Sequence, residues 1–319
     1  MPEYVIFGAG AVGRAVSRRH NVPICDDKVD GLSVAEATKL YPNATYIITA
    51  ADWNMAVDCL TKHGIASYAS VECFVPLPDS RFEEYAINTC IACQNSHIHK
   101  KTFMRSLDIV VTERCTLKCR DCSNLMQHYE NPKDLPLDEI IEGLTSIKGD
   151  VNEIRLIGGE PFLFKQLDKV IRVAYGIENI RYIMVYTNGT IIPSEEVLRA
   201  MKECLAIVLI TEYEGLSKNA PELREVMDSY GITHHTIPPD YWTDCGEVYH
   251  RGRTPEDNYE VYRNCCAKEL YTMIGKKLYD CPFMANAVRA GLIHEEADPC
   301  QYCAGRPFNA PKIKAAVQK

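Results

Sequence analysis

Three cysteines stand close together in Glu113-Arg114-Cys115-Thr116-Leu117-Lys118-Cys119-Arg120-Asp121-Cys122, spaced C-x3-C-x2-C. Three thiolates on one short loop can hold three irons of a four-iron cluster and leave the fourth iron open. An open coordination position is where a metal centre does chemistry, not only supports a fold. Structural zinc fits less well. It asks for a fourth Cys or His in a paired C-x2-C pattern, and the nearest candidate, His128, is on the wrong spacing.

Two further segments follow in order: Gly158-Gly159-Glu160-Pro161 and Thr187-Asn188-Gly189. With the triplet they resemble the radical S-adenosylmethionine (radical SAM) superfamily. The resemblance implies a 4Fe-4S cluster on Cys115, Cys119 and Cys122, whose open iron chelates S-adenosylmethionine. It also implies that Gly158, Gly159, Glu160 and Pro161 meet the methionine amino group, that Thr187 and Asn188 belong to the cofactor site, and that Thr211 does too. The expected chemistry is formation of a 5′-deoxyadenosyl radical that abstracts hydrogen from substrate, with an electron donor such as flavodoxin or ferredoxin. Asp121 stands where the family usually has an aromatic residue near the adenine. Glu212 and Tyr213 follow a strand tip and are the catalytic candidates.

A second thiol group lies near the C-terminus: Cys265, Cys266, Cys281 and the C-x2-C pair Cys300 and Cys303. One of the adjacent pair, Cys281 and the C-x2-C sum to four thiolates, enough for zinc or a fully ligated cluster. The resemblance to Twitch and SPASM extensions favours an auxiliary 4Fe-4S cluster over zinc. Cys265 is the preferred first ligand.

These groups need elements to place them. Tyr4 to Gly8 reads as a buried strand running into Gly8-Ala9-Gly10-Ala11-Val12-Gly13, a GxGxxG turn. Such a turn aims backbone N–H groups at a phosphate. Asp26, at the end of the next strand, is placed to meet a ribose hydroxyl. Ser33-Val34-Ala35-Glu36 predicts a capping box, and Asp52 another helix cap. From Leu107 onward, strands alternate with helices: 107–112, 153–157, 180–186, 206–210 and 232–237. Repeated β–α units mean a parallel sheet that binds ligands at its strand C-termini. A hairpin is expected around Gly275, and Cys25, Cys59, Cys73 and Cys204 read as core thiols.

The fold class is therefore α/β: a partial (β/α)6 radical SAM barrel, an N-terminal Rossmann-like domain and a small C-terminal cysteine-rich cluster domain. The expected boundaries are 1–75 for a nucleotide-binding domain, 76–104 for a connector, 105–250 for the barrel and 251–319 for the cluster domain. A net charge of −8 over 319 residues disfavours nucleic acid. No apolar run approaches the roughly 20 residues that span a bilayer, and fifteen cysteines without a visible signal peptide point to metal binding in the cytoplasm.

The run Cys115 to Tyr129, the GGEP segment and Leu278-Tyr279-Asp280-Cys281-Pro282-Phe283 together resemble radical SAM proteins of surface-polysaccharide biosynthesis. The implied substrate is a sugar or nucleotide sugar that is oxidised, epimerised or deoxygenated. The alternatives are a peptide-modifying maturase and a non-catalytic iron–sulfur sensor or binding module, with an NAD-dependent dehydrogenase a lesser third.

Overall fold

The computed structural model describes residues 2–27, 32–74, 78–100, 103–213, 215–238, 241–244, 246–263, 265, 267, 270–303, 306–309 and 317–318. The chain divides into two compact units, 1–103 and 104–319.

The first unit alternates β1 (Tyr4–Phe7), α1 (Ala11–His20), β2 (Ile24–Cys25), α2 (Val34–Leu40), β3 (Thr45–Ile48), α3 (Trp53–Lys62), β4 (Tyr68–Ser70) and α4 (Arg81–His99). Its strands form a parallel sheet in the order β2-β1-β3-β4. Side chains alternate across the sheet. Val5, Phe7, Tyr46 and Ile48 pack with α2 and α3 residues, whereas Ile6 and Ile47 pack with Val12, Val16, Ile87 and Cys90. Ser33 completes its capping box with Glu36, and Asp52 accepts from the Met55 amide.

Residues 76–104, expected as a connector, contain the 19-residue helix α4. Its polar composition hid a narrow buried face. Gln94, fully buried, accepts from Ser70 Oγ at 2.7 Å and Val71 N at 3.2 Å, and donates to the carbonyls of Ile48 and Ala50, both at 2.9 Å. The helix thus takes up backbone groups that the ends of β3 and β4 leave unpaired. Cys90 and Cys93, a C-x2-C pair by spacing, are buried on this helix. Cys25 and Cys204 are core as expected, but Cys73 is exposed.

The second unit runs β5 (Met104–Thr112), β6 (Lys118–Cys119), α5 (Leu137–Thr145), β7 (Val151–Gly158), α6 (Leu167–Tyr175), β8 (Ile180–Thr187), α7 (Glu195–Glu203), β9 (Ile207–Thr211), α8 (Ala220–Tyr230) and β10 (Thr233–Ile237). It continues through β11 (Tyr241–Asp244), α9 (Pro255–Arg263), β12 (Leu270–Ile274), β13 (Lys277–Tyr279), α10 (Pro282–Arg289), β14 (Arg306–Asn309) and β15 (Val317–Gln318). Among the described residues, the main sheet has the order β10-β9-β8-β7-β5-β12-β13. Among the described residues, six strands are parallel and β13 is antiparallel, so this is an open β/α array with β10 and β13 at its edges.

The sixth parallel strand comes from an unexpected place. The hairpin around Gly275 forms, but its first strand, β12, pairs with β5 from Leu270↔Ser106 to Ile274↔Val110. The cysteine-rich segment is therefore joined to the barrel sheet. Gly143 makes this possible: a Cβ there would collide with the Gly275 carbonyl oxygen, so α5 can lie against the hairpin only without one. Ser194 stands at the N-cap of α7, yet its side chain makes no cap hydrogen bond to the helix amides.

Replacing Gln94 by Leu leaves the Ile48 and Ala50 carbonyls and the Val71 amide without partners. Stability of the first unit should fall by about 2–4 kcal/mol, read as a lower midpoint for its own thermal transition in calorimetry of the full chain.

Candidate functional site

The C-terminal ends of β5, β7, β8 and β9 deliver four segments to one cavity of about 340 Å³. Its walls include Cys115, Cys119 and Cys122 from the loop after β5, Gly158 and Gly159 from β7, Thr187 and Asn188 from β8, and Thr211 and Tyr213 from β9. The three cysteine side chains also pack with Leu117, Tyr213 and Leu216.

Close backbone approach explains the two glycines. A Cβ on Gly158, whose φ is +154°, would strike the Thr112 carbonyl oxygen, and one on Gly159 would strike that of Arg114. The Gly159 amide donates to Thr112 O at 2.9 Å and the Glu160 amide to Arg114 O at 2.8 Å. The cysteine loop is thereby tied to β7.

Glu160 and Pro161 do not line the cavity. Glu160 is fully buried and turned into the fold. Its Oε1 accepts from Thr187 Oγ1 at 2.9 Å and from the Phe162 amide at 3.2 Å, and its Oε2 accepts from the Asn188 amide at 2.9 Å. Burial pushes its carboxyl up to about 7, against the pull of these three donors. The carboxylate is a tie between strand ends, and only the two glycines of the segment face the cavity.

Asn188 reaches back to the cysteine loop, its Nδ2 lying 3.1 Å from Thr116 Oγ1 and 3.6 Å from Cys115 Sγ. Ser217 Oγ donates to the Asn188 carbonyl at 2.6 Å and accepts from the Tyr213 amide at 2.8 Å. Tyr213 is thus set beside the thiols, and burial, then the neighbouring cysteines, push its phenol well above the ordinary value. Glu212 goes elsewhere: it pairs with Arg224 at 2.6 Å and lies outside the cavity. Of the two catalytic candidates, only Tyr213 reaches the site.

Asp121, buried and in the cavity wall, is paired with Arg120 at 2.7 Å and accepts from the Gly246 amide at 3.3 Å. His128 Nε2 lies 2.8 Å from the Gly246 carbonyl. Glu113, at the root of the loop, pairs with Arg289 of α10 at 2.8 Å, and Tyr129 donates to Asn286 Oδ1 of the same helix at 3.1 Å.

Three polar cavity residues have no counterpart among the motifs: Asp108, Arg155 and Tyr186. Their signal was present in the strands themselves. Asp108 sits between Leu107 and Ile109, and Arg155 between Ile154 and Leu156. A charged side chain inside an apolar strand is costly unless paired or used.

A second cavity of about 890 Å³ gathers Cys265, Cys281, Cys300 and Cys303. Cys266 lies outside the described residues. Cys281 caps α10, its Sγ accepting from the Met284 amide at 3.4 Å, and Cys265 Sγ accepts from the Ala267 amide at 3.3 Å. Arg253 donates to the carbonyls of Cys300 and Cys303 and holds the C-x2-C turn. Ser123 and Pro282 belong to the walls of both cavities. They follow Cys122 and Cys281 directly in sequence.

In the first unit, the GxGxxG glycines divide the work. Gly8 has φ +107°, a Cβ on Gly13 would strike the Gly8 carbonyl, and Gly10 has open space where a Cβ would be. Asp26 Oδ2 accepts from the Ala9 amide at 2.8 Å. The structure thus brings Asp26 onto the glycine turn.

The sequence model of the radical SAM superfamily matches residues 109–275, just over half of the chain. The chain belongs to this superfamily. It is also similar to the GTP 3',8-cyclase of Stenotrophomonas maltophilia, 35% identical over 91 residues, which is 27% of this chain and 27% of that protein. The GTP 3',8-cyclase of Pelotomaculum thermopropionicum is 34% identical over 116 residues, 32% of this chain and 33% of the relative. The alignments thus span about a third or less of those relatives. Similar solved structures include BtrN in complex with AdoMet and 2-DOIA (17% identical, TM-score 0.40, 59% of this chain and 76% of that one). Streptococcus suis SuiB bound to S-adenosylmethionine is another (14%, TM-score 0.37, 82% and 59%).

A radical SAM protein implies a 4Fe-4S cluster and S-adenosylmethionine, and the triplet fits that cluster. Among the described residues, no three Cys, His, Asp or Glu side chains close on one point as the donors of a single ion do. The three thiols line one cavity, and Cys thiolates are the ligands such a cluster takes. Burial pushes Cys115 up to about 12 and raises Cys119 and Cys122 as well. Burial thus favours the neutral thiols, and a cluster held by them would displace their protons.

Because its folded-state value exceeds the ordinary 4.5, Glu160 takes up a proton on folding, and the associated stability is lost as pH rises from 4.5 through about 7. Glu160→Gln should abolish that slope, worth about 3 kcal/mol at most, in denaturation measured from pH 4 to 8. It should also lower overall stability, since an amide N–H then faces a donor.

Proposed function

We propose that the protein is a radical SAM enzyme acting on a sugar or nucleotide sugar by hydrogen abstraction, with net oxidation, epimerisation or deoxygenation. The observation that carries the reading is the convergence of Cys115, Cys119, Cys122, Gly158, Gly159, Asn188, Thr211 and Tyr213 on one cavity. When bound, the cluster and S-adenosylmethionine supply an adenosyl radical that removes a hydrogen atom from substrate. The three cysteines hold the cluster. Gly158 and Gly159 offer backbone groups where no side chain intrudes. Asn188 braces the cysteine loop, and Tyr213, a neutral phenol, closes the wall beside it.

Cys265, Cys281, Cys300 and Cys303 are assigned to an auxiliary 4Fe-4S cluster of the Twitch or SPASM kind. Four thiolates can hold either zinc or a fully ligated cluster, and the resemblance of this segment favours the cluster. Amide donors on Cys265 and Cys281 are of the type that tunes cluster potential. The wall shared by the two cavities at Ser123 and Pro282 supports a role as electron acceptor, which would convert hydrogen abstraction into a two-electron oxidation. In the first unit, the open Gly10 position and Asp26 at the turn support a nucleotide moiety.

A second reading takes a nucleoside triphosphate as substrate. It is favoured by the 35% identity to GTP 3',8-cyclase over 91 residues.

The anaerobically reconstituted, reduced protein should convert S-adenosylmethionine to 5′-deoxyadenosine, and Cys119→Ala should abolish this. Iron analysis should give about eight irons per chain, falling to about four in Cys281→Ala/Cys303→Ala. No 5′-deoxyadenosine from protein with full iron content would refute the enzymatic reading, and four irons in the unsubstituted protein would remove the auxiliary cluster.

A further inference from the structure

The cavity-facing side of the barrel sheet carries a buried ion pair that belongs to none of the sequence motifs. Asp108 of β5 stands opposite Arg155 of β7 in the strand register. Arg155 stands opposite Met184 of β8, and Tyr186 lies two residues further along that strand, so all three side chains leave the sheet on one face. Asp108 is 1% exposed. Arg155 Nε donates to Asp108 Oδ1 at 2.6 Å, and the guanidinium carbon lies 4.8 Å from the centre of the Tyr186 ring. All three residues line the cavity that holds the cysteine triplet.

Packing does not account for this pair. Taking two charges out of water costs several kcal/mol per ion, and well-packed apolar residues often serve stability equally well. The same strands use Leu107, Ile109, Ile154 and Leu156 where only a core is needed. The ion pair appears on the face turned to the chamber.

We propose that Asp108, Arg155 and Tyr186 form the recognition wall for an uncharged, hydroxyl-bearing ring, a pyranose or a cyclitol. The wall rests on the reading of this cavity as the substrate chamber of a radical SAM enzyme, and it decides between the two substrate classes. A carboxylate only accepts hydrogen bonds and a guanidinium only donates them. Side by side they match a vicinal diol, in which each hydroxyl does both. The bond to Asp108 uses Nε and fixes the guanidinium plane, while Nη1 and Nη2 stay outside that bond. Tyr186 extends the wall with aromatic surface, as polar groups in ligand sites are set among apolar ones.

Charge excludes the triphosphate. Phosphate groups are held by Arg and Lys in excess, and here Asp108 already neutralises the guanidinium. The charged residues lining this cavity are Asp108, Asp121 and Arg155 among the described residues, and Asp121 is itself paired with Arg120. A triphosphate would meet no surplus of cations where it needs a clamp.

The test uses the full chain, anaerobically reconstituted and supplied with S-adenosylmethionine. Saturation-transfer NMR would be recorded with methyl α-glucopyranoside, N-acetylglucosamine and myo-inositol as neutral probes, and with GTP and inorganic triphosphate as charged ones. At least one neutral ring is expected to bind, about tenfold or more weakly in Arg155→Gln and in Asp108→Asn. The double variant Asp108→Leu/Arg155→Met, which replaces the pair by apolar residues and is expected to fold, should lose the ring as well. GTP or triphosphate binding that depends on Arg155 would overturn the proposal. So would neutral rings that fail to bind, or that bind all variants equally. 5′-Deoxyadenosine is measured on the same samples. If it forms while no ring binds, the wall falls and the radical chemistry stands; if it does not form, the reading of the chamber falls first.

Discussion

A single buried carboxylate organises the site. Glu160 receives donors from the end of β8 and from its own turn, while the amides of Gly159 and Glu160 bond the carbonyls of Thr112 and Arg114. Three strand ends and the root of the cysteine loop are therefore held by one short stretch of chain. A buried carboxylate with three donors has few alternative arrangements that do not strand a polar group. The thiols of Cys115, Cys119 and Cys122 inherit their placement from this junction, and so does Asn188, which reaches them from the neighbouring strand.

The C-terminal segment is built into the same frame. β12 adds to the barrel sheet beside β5, and α10 returns to the cysteine loop through Arg289 to Glu113 and through Asn286 to Tyr129. Cys281, at the N-cap of α10, is thus positioned by the helix that also braces the first thiol group. Neighbouring cavities with a common wall at Ser123 and Pro282 follow from that connection. Two groups of thiols are thus braced by one helix, α10.

The barrel sheet separates its tasks by face. The outward face is apolar and packs under α5 to α8, and the inward face carries Asp108, Arg155, Tyr186 and Thr211 toward the chamber. The alternation of strand side chains makes the two faces out of alternate residues of the same strands. Polar and charged side chains can thereby sit in the middle of strong core-forming sequence.

The local parts of the site were legible in the amino-acid sequence because their chemistry is local. Cysteine spacing on one loop, glycines at a strand end and the alternation of strands with helices each depend on neighbours in the chain. What tertiary structure decided depends on register and direction. Adjacent residues at a strand end point to opposite sides, so Tyr213 enters the chamber and Glu212 leaves it for Arg224. The acid of the GGEP segment turns inward because donors from another strand wait there. α4 belongs to the first unit because one side chain, Gln94, meets backbone groups more than twenty residues away. Asp108 and Arg155 are 47 residues apart, and only strand pairing makes them one group. Spacing along a chain records which residues can act together locally, whereas burial and pairing across strands are fixed by the whole fold.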